Sequence, residues 1–183
     1  MPPRRSRLRR IVGVTLVVAA LVVVVLFPVA TARLFIWPPT DQPTRADAVV
    51  ALGGDTGQLR AQLAIKLARE GYAPVAAISL GGVRAVSCPK PVPGVRIICF
   101  RADPLSTRGE AEYASRLAAQ HHWDRIIVVS ERSQATRARL LFKRCTAVHL
   151  EMVPVSDPRT NLPYDVTYEW GALAKALVLI RTC

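Results

Sequence analysis

Arg137 stands three residues after Gln134, and both follow an apolar run that ends in Ser130. Side chains three apart share a helix face, so this pair is placed to grip one anionic group, the guanidinium bidentately. Gly53 and Gly54 follow the apolar stretch 48–52, with Arg60 one turn into the segment beyond. Gly81 and Gly82 follow a second apolar stretch, 73–79. A glycine turn after a buried strand lets backbone amides approach a ligand, and a helix start beyond it attracts negative charge. A plain tight turn demands the same glycines, and GGxxG is a weaker signal than GxGxxG. Two carboxylates lie near these turns in sequence. Asp55 sits in the first glycine turn, and Glu110 closes Thr107-Arg108-Gly109-Glu110. Either suits acid–base work, and Glu110 also suits a hydroxyl acceptor. The same four residues fit a capping box, in which Thr107 caps a helix and Glu110 reaches back to the cap amide. Ser106, Thr107 and Ser130 add hydroxyls. GxSxG, Walker A and HExxH motifs are missing from the chain, and the chemistry indicated is recognition of a carboxylate or phosphate.

Positioning these residues requires a sheet. Strands are expected at 48–52, 73–79, 95–100, 125–130 and 147–153, because continuous apolar runs bounded by turn residues read as strands covered on both faces. Helical spacing of Leu59, Leu63 and Leu67 predicts a helix ending at Gly71. Further helices are expected over 107–121, 135–144 and 168–181. Alternating strands and helices mean a Rossmann-like α/β sandwich with a mostly parallel sheet. In such sheets ligands sit at the carboxyl ends of the strands.

Residues 11–32 carry no charge and are long enough to cross a bilayer. Arginines 4, 5, 7, 9 and 10 precede them, which predicts a cytoplasmic basic tail (1–10) and a single-pass anchor with the rest of the chain outside. Ala30-Thr31-Ala32 also fits a signal-peptide cleavage site. Both readings export the chain. Residues 33–45, with Pro38, Pro39 and Pro43, read as a stalk, and Leu34 to Trp37 as an interfacial belt. The exported domain is 46–183.

The net charge of +12 falls to +7 beyond the first ten residues and is dispersed. With no basic cluster or binding motif, nucleic acid is not an expected partner. An anionic lipid or cell-wall polymer suits the charge better. Cys88, Cys99, Cys145 and Cys183 favour disulfides in an exported chain, and three pairings are open: a bridge 88–99 would close the loop before the third strand and a bridge 145–183 would tie a helix end to the C-terminus, while no CxxC spacing suggests a metal site. His121 and His122 suit a helix C-terminus and His149 a strand.

Four segments in order carry a resemblance: Val50-Ala51-Leu52-Gly53-Gly54 with Arg60; Ser79-Leu80-Gly81-Gly82; Ser106-Thr107 with Glu110; and Val128-Val129-Ser130 with Arg137-Ala138. Over about residues 47–145 the chain resembles the DUF218 domain of the YdcF/SanA/ElyC-like family. The resemblance implies a Rossmann-like domain behind a membrane anchor, with a role in bacterial envelope, peptidoglycan or lipid-carrier metabolism. The family's His falls on Gln134, its Thr-Ser on Ser130-Glu131 and its Asn on Ala111; Gln does not titrate near neutral pH, whereas His does.

The expectation is therefore a membrane-anchored, extracytoplasmic domain that binds an anionic, phosphate-containing envelope ligand. Gly53, Gly54, Arg60, Gly81, Gly82, Ser106, Thr107, Ser130, Gln134 and Arg137 would line its site, with Glu110 or Asp55 as acid–base group. A non-catalytic binding or scaffold protein is the alternative. A nucleotide- or S-adenosylmethionine-binding protein is third, since export removes the chain from those cofactor pools. No cofactor is specified by the residues.

Overall fold

The computed structural model describes residues 4–54, 58–81, 87–158 and 161–183, with side chains from residue 12 onward. Its strands are β1 (Ala48–Ala51), β2 (Val75–Ser79), β3 (Arg96–Phe100), β4 (Arg125–Glu131) and β5 (His149–Val155). They form one parallel sheet in the order β3-β2-β1-β4-β5. The middle strand β1 is buried throughout, and Val50 pairs with Ala77 on one side and Val128 on the other. Burial on both faces is why AVVA and IIVV are unbroken apolar runs.

The helices are α1 (Arg4–Thr31), α2 (Leu59–Arg69), α3 (Thr107–His121), α4 (Ala135–Cys145) and α5 (Leu162–Val178). On one face of the sheet, Ala61, Ala64 and Leu67 of α2 meet Val49, Ala51, Ile127 and Val129. On the other face, Ala111, Ala114 and Leu117 of α3 and Ala138 and Phe142 of α4 meet Val50, Leu52, Val128 and Met152. Each fully buried Leu or Phe contributes about 1.5–3 kcal/mol, while the alanines let the helix axes approach the sheet. This is the expected three-layer Rossmann-like sandwich. Strand order reverses between β1 and β4, so the connections leaving their carboxyl ends diverge and open a crevice there.

Helix α5 begins six residues before the expected Tyr168. Pro163 looks like a helix breaker in sequence, yet it occupies the first turn, where its missing N–H costs nothing, and Asn161 caps the helix by accepting from the Tyr164 amide at 3.3 Å. The expected disulfides are present, and of the three possible pairings the structure has Cys88–Cys99 with Cys145–Cys183. The second ties the end of α4 to the chain terminus. Beside it, Arg144 Nη1 donates to the carbonyls of Ala176 and Ile180, satisfying acceptors left open at the end of α5.

Residues 12–36 form a helix long and apolar enough to cross a membrane by length and composition, its last turn (Ala32–Ile36) widened to π-helix. The segment that follows is bound to the domain and does not stand off from it. Thr136 donates to Leu34 O, and Arg139 donates to Pro39 O and pairs with Asp41. Asp41 lies along β5, its amide donating to Met152 O at 3.0 Å while its carboxylate accepts the Met152 amide at 2.7 Å. Thr44 is held by Glu151, which also pairs with Arg125 at 2.9 Å. Proline keeps this segment extended, and the extended backbone then finds partners on β5 and α4. Phe35, expected in an interfacial belt, is fully buried against Trp170 of α5.

Candidate functional site

At the carboxyl end of β1 the chain passes so close to Gly81 that a Cβ on Gly53 would lie 2.4 Å from the Gly81 carbonyl oxygen. Only glycine permits that approach. Gly54 turns the chain away with φ +101°. Gly53, Gly54 and Gly81, at the ends of β1 and β2, therefore form one wall.

Glu110 closes this wall from the first turn of α3. Its Oε1 accepts the Gly53 amide at 2.7 Å, and the Ser79 hydroxyl bonds to the same carboxyl. Helix α3 is capped differently from the expected box: Ser106 accepts from the Gly109 amide at 3.1 Å, and Glu110 turns across the crevice to β1. The Gly53 N–H, expected to face a ligand, is thus held by an internal carboxylate. Burial raises Glu110 above the usual carboxylate range, and the Ser79 hydroxyl, Gly53 amide, Arg60 and Arg137 pull against that without cancelling it. A carboxyl so placed holds a proton more tightly than an exposed one.

Thr107, Gln134, Arg60 and Arg137 form a second, linked cluster. Thr107 Oγ1 accepts from Gln134 Nε2 and from Arg137 Nη1, each at 2.9 Å. A hydroxyl has one proton and two lone pairs, so Thr107 is left to act as a donor. Gln134 Oε1 in turn accepts from Arg60 Nη1 at 3.1 Å, and Arg60 lies buried beside Gly54. The amide of Gln134 bridges two helices that approach from opposite faces of the sheet. Arg137 does not pair with Gln134 directly; it is gripped bidentately by Glu169 of α5, with both bonds at 2.7 Å. Burial works against the Arg137 charge, but the Glu169 carboxylate outweighs it and holds the guanidinium above its ordinary pKa. Glu131, half-buried at the end of β4, is likewise raised by burial, with the Asp157 amide and the Arg60 charge pulling the other way.

The remaining expected residues are placed as follows. Ser130 is fully buried, its hydroxyl directed to Glu131 O and Met152 Sδ and away from the cluster. Ser106 is occupied as the cap of α3. Asp55 and Gly82 lie outside the described residues. The histidines stand apart: His121 stacks on Trp123, His122 ends α3 and His149 is exposed. The one gathering of metal-ligating residue types among the described residues is Glu112, Cys145 and Cys183, and its two sulfurs are joined to each other.

Glu169 joins the site without having been singled out from sequence, and Ser79, quoted there only as the head of Ser79-Leu80-Gly81-Gly82, joins it through the Glu110 carboxyl. Glu169 shares a helix face with Leu173 and Ala176, four and seven residues on, and all three are buried. A lone acid on an apolar face is the signal that would have found it. No protein-family model, curated protein or solved structure matches the chain.

Proposed function

We propose that this is a membrane-anchored, extracytoplasmic protein of the bacterial cell envelope that binds an anionic, phosphate-containing ligand in the crevice between β1 and β4. The observation that carries the reading is the buried Glu110 carboxyl at the topological switch point, within electrostatic reach of both Arg60 and Arg137. Burial raises Glu110 and Glu131, and each proton they hold shifts the cluster toward positive charge. A neighbouring anion is then favoured. Thr107 adds a hydroxyl donor and Arg60 a buried guanidinium, the groups that recognise phosphate oxygens. Among the described carboxyls at the crevice that burial raises, Glu110 is the more deeply buried, and it is the acid–base group if turnover follows. Two disulfides support an oxidising compartment, and the apolar helix with its amino-terminal arginines supports anchorage with that end in the cytoplasm.

A second reading, binding without catalysis, is favoured by Gln134, whose amide does not titrate and is committed on both sides. The test is mass spectrometry of the full chain extracted from its native membrane in mild detergent, beside Arg60→Gln and Glu110→Gln. A phosphate-containing lipid or sugar should accompany the wild type and be lost from Arg60→Gln. Ligand retained by Glu110→Gln with no product from any envelope substrate in the wild type selects the second reading. A wild-type protein that carries no phosphate compound and takes up no added polyprenyl phosphate overturns both.

A further inference from the structure

Helix α5 packs on the apolar helix α1 well inside its hydrophobic stretch. Trp170 stacks on Phe27 with ring centroids 5.3 Å apart, and its Nε1 donates to Thr31 Oγ1 at 3.1 Å. Phe35 meets the same indole edge-on at 5.2 Å. Phe27 stands nine residues before Ile36, the end of the apolar stretch, which is about 13 Å along a helix. A helix that enters the bilayer just after Arg10 fills a core of about 30 Å with about 20 residues, so its outer hydrocarbon boundary falls near Thr31, the residue to which Trp170 donates.

The exposed surface of α5 matches that position. Leu162, Tyr164, Tyr168, Leu177, Val178 and Leu179 are between 43 and 74% exposed. Ala174 and Leu177, four and seven residues after Trp170, continue the face that meets α1. Of the charged residues on α5 only Lys175 is exposed, because Glu169 is consumed by Arg137 and Asp165 is partly covered. Tyrosines flanking an apolar strip, with a lysine and the following Arg181 beside it, form the pattern of an interfacial helix on anionic lipid. Such a row of large apolar side chains is not ordinary soluble surface.

We infer that α5 lies in the membrane interface as a second, non-spanning contact, so that the domain is seated on the bilayer and not suspended above it. This rests on the reading of α1 as a membrane span. The rigid attachment of residues 34–44 to α4 and β5 leaves no spacer that would lift the domain away. Because Glu169 joins α5 to Arg137, the seated helix also brings the crevice close to lipid headgroups, which fits a ligand delivered from the bilayer plane.

The test uses the full chain in vesicles of phosphatidylcholine and phosphatidylglycerol containing spin-labelled lipids. The native cysteines are all disulfide-bonded, so single cysteines at Tyr168, Leu177, Val22 and Lys66 accept a fluorescent label selectively. Labels at 168 and 177 should be quenched several-fold more by spin labels near the headgroup than by those at the chain end. Val22 should show the reverse order, and Lys66, across the sheet on α2, should show neither. Quenching at 22 with silence at 168 and 177 overturns the seating of α5 and leaves the span intact. Silence at all four overturns the span itself. Self-quenching at 168 and 177 that rises with protein density, without lipid quenching, assigns the face to a second copy and overturns the inference.

Discussion

Glu110 Oε1 lies 2.7 Å from the amide nitrogen of Gly53, joining the first turn of α3 to the end of β1 across 57 residues of sequence. The bond places a carboxyl where an open α/β sheet would receive an anion. Ligand and Glu110 therefore either share the Gly53 amide or compete for it, and a bound anion raises the affinity of Glu110 for its proton.

Glu110→Gln keeps an acceptor for the Gly53 amide and removes the titration. Since folding raises the Glu110 pKa above 4.5, its stabilising effect is complete below the unfolded pKa and fades as pH rises through the folded one. The variant should be as stable as wild type or more so at neutral and alkaline pH, with a flatter Tm-versus-pH curve above pH 4.5. Glu110→Ala leaves the amide unsatisfied and should lose about 1–3 kcal/mol in urea denaturation.

Arg137 and Glu169 form the most enclosed ion pair described, with side chains 11 and 5% exposed. Removing either partner strands a buried charge and should cost about 3–5 kcal/mol. Arg137→Met with Glu169→Leu should cost far less than the two single changes added together, as read by a double-mutant cycle on denaturation midpoints. Additive costs would show that the pair is not coupled in solution.

Gly53→Ala forces a methyl group against the Gly81 backbone at 2.4 Å. The ends of β1 and β2 must separate, at a cost of about 1–3 kcal/mol by the usual scale of overpacking. The Glu110 bond to residue 53 should weaken with it. Thermal denaturation reads the first effect, and faster hydrogen exchange at the residue 53 amide reads the second.

Acid should release the segment that links α1 to the domain. Burial opposes the ionised forms of Asp41 and Glu151, but hydrogen bonds and arginines outweigh it: the Met152 amide and Arg139 for Asp41, Thr44 and Arg125 for Glu151. Both carboxyls are thereby held below their ordinary values of 3.8 and 4.5. Their contribution is present above those values and is lost as pH falls through the lowered ones. Proteolysis within 37–45 should accelerate below about pH 4. Asp41→Asn should show that susceptibility already at neutral pH.

Patterns that repeat locally were legible from residue order. Runs such as Ile126-Ile127-Val128-Val129 mark strands because a doubly covered strand needs apolar side chains at every position. Leu59, Leu63 and Leu67 mark a helix by spacing alone, and an even cysteine count in an exportable chain leads to two bridges. Gly53, Gly54, Gly81, Arg60, Thr107, Glu110, Gln134 and Arg137 are legible in sequence as candidates because turn chemistry and helix starts are local. What those residues touch was not local. Glu110 follows a Thr at capping-box spacing, and only the crossing of α3 over β1 turns it toward Gly53. Arg137 and Gln134 share a helix face, yet Glu169, thirty-two residues on, takes the guanidinium, and Thr107 stands between Arg137 and the Gln134 amide. Prolines 38, 39 and 43 specify extended backbone. Whether that backbone hangs free or lies bonded along β5 depends on acceptors and donors that exist only once the sheet has formed. Sequence alone determined which residues form strands, turns, helices and bridges, because short-range sterics and burial periodicity act along the chain. Tertiary structure decided which charges meet and where α1 is held, because those energies depend on distances between segments that residue order does not encode.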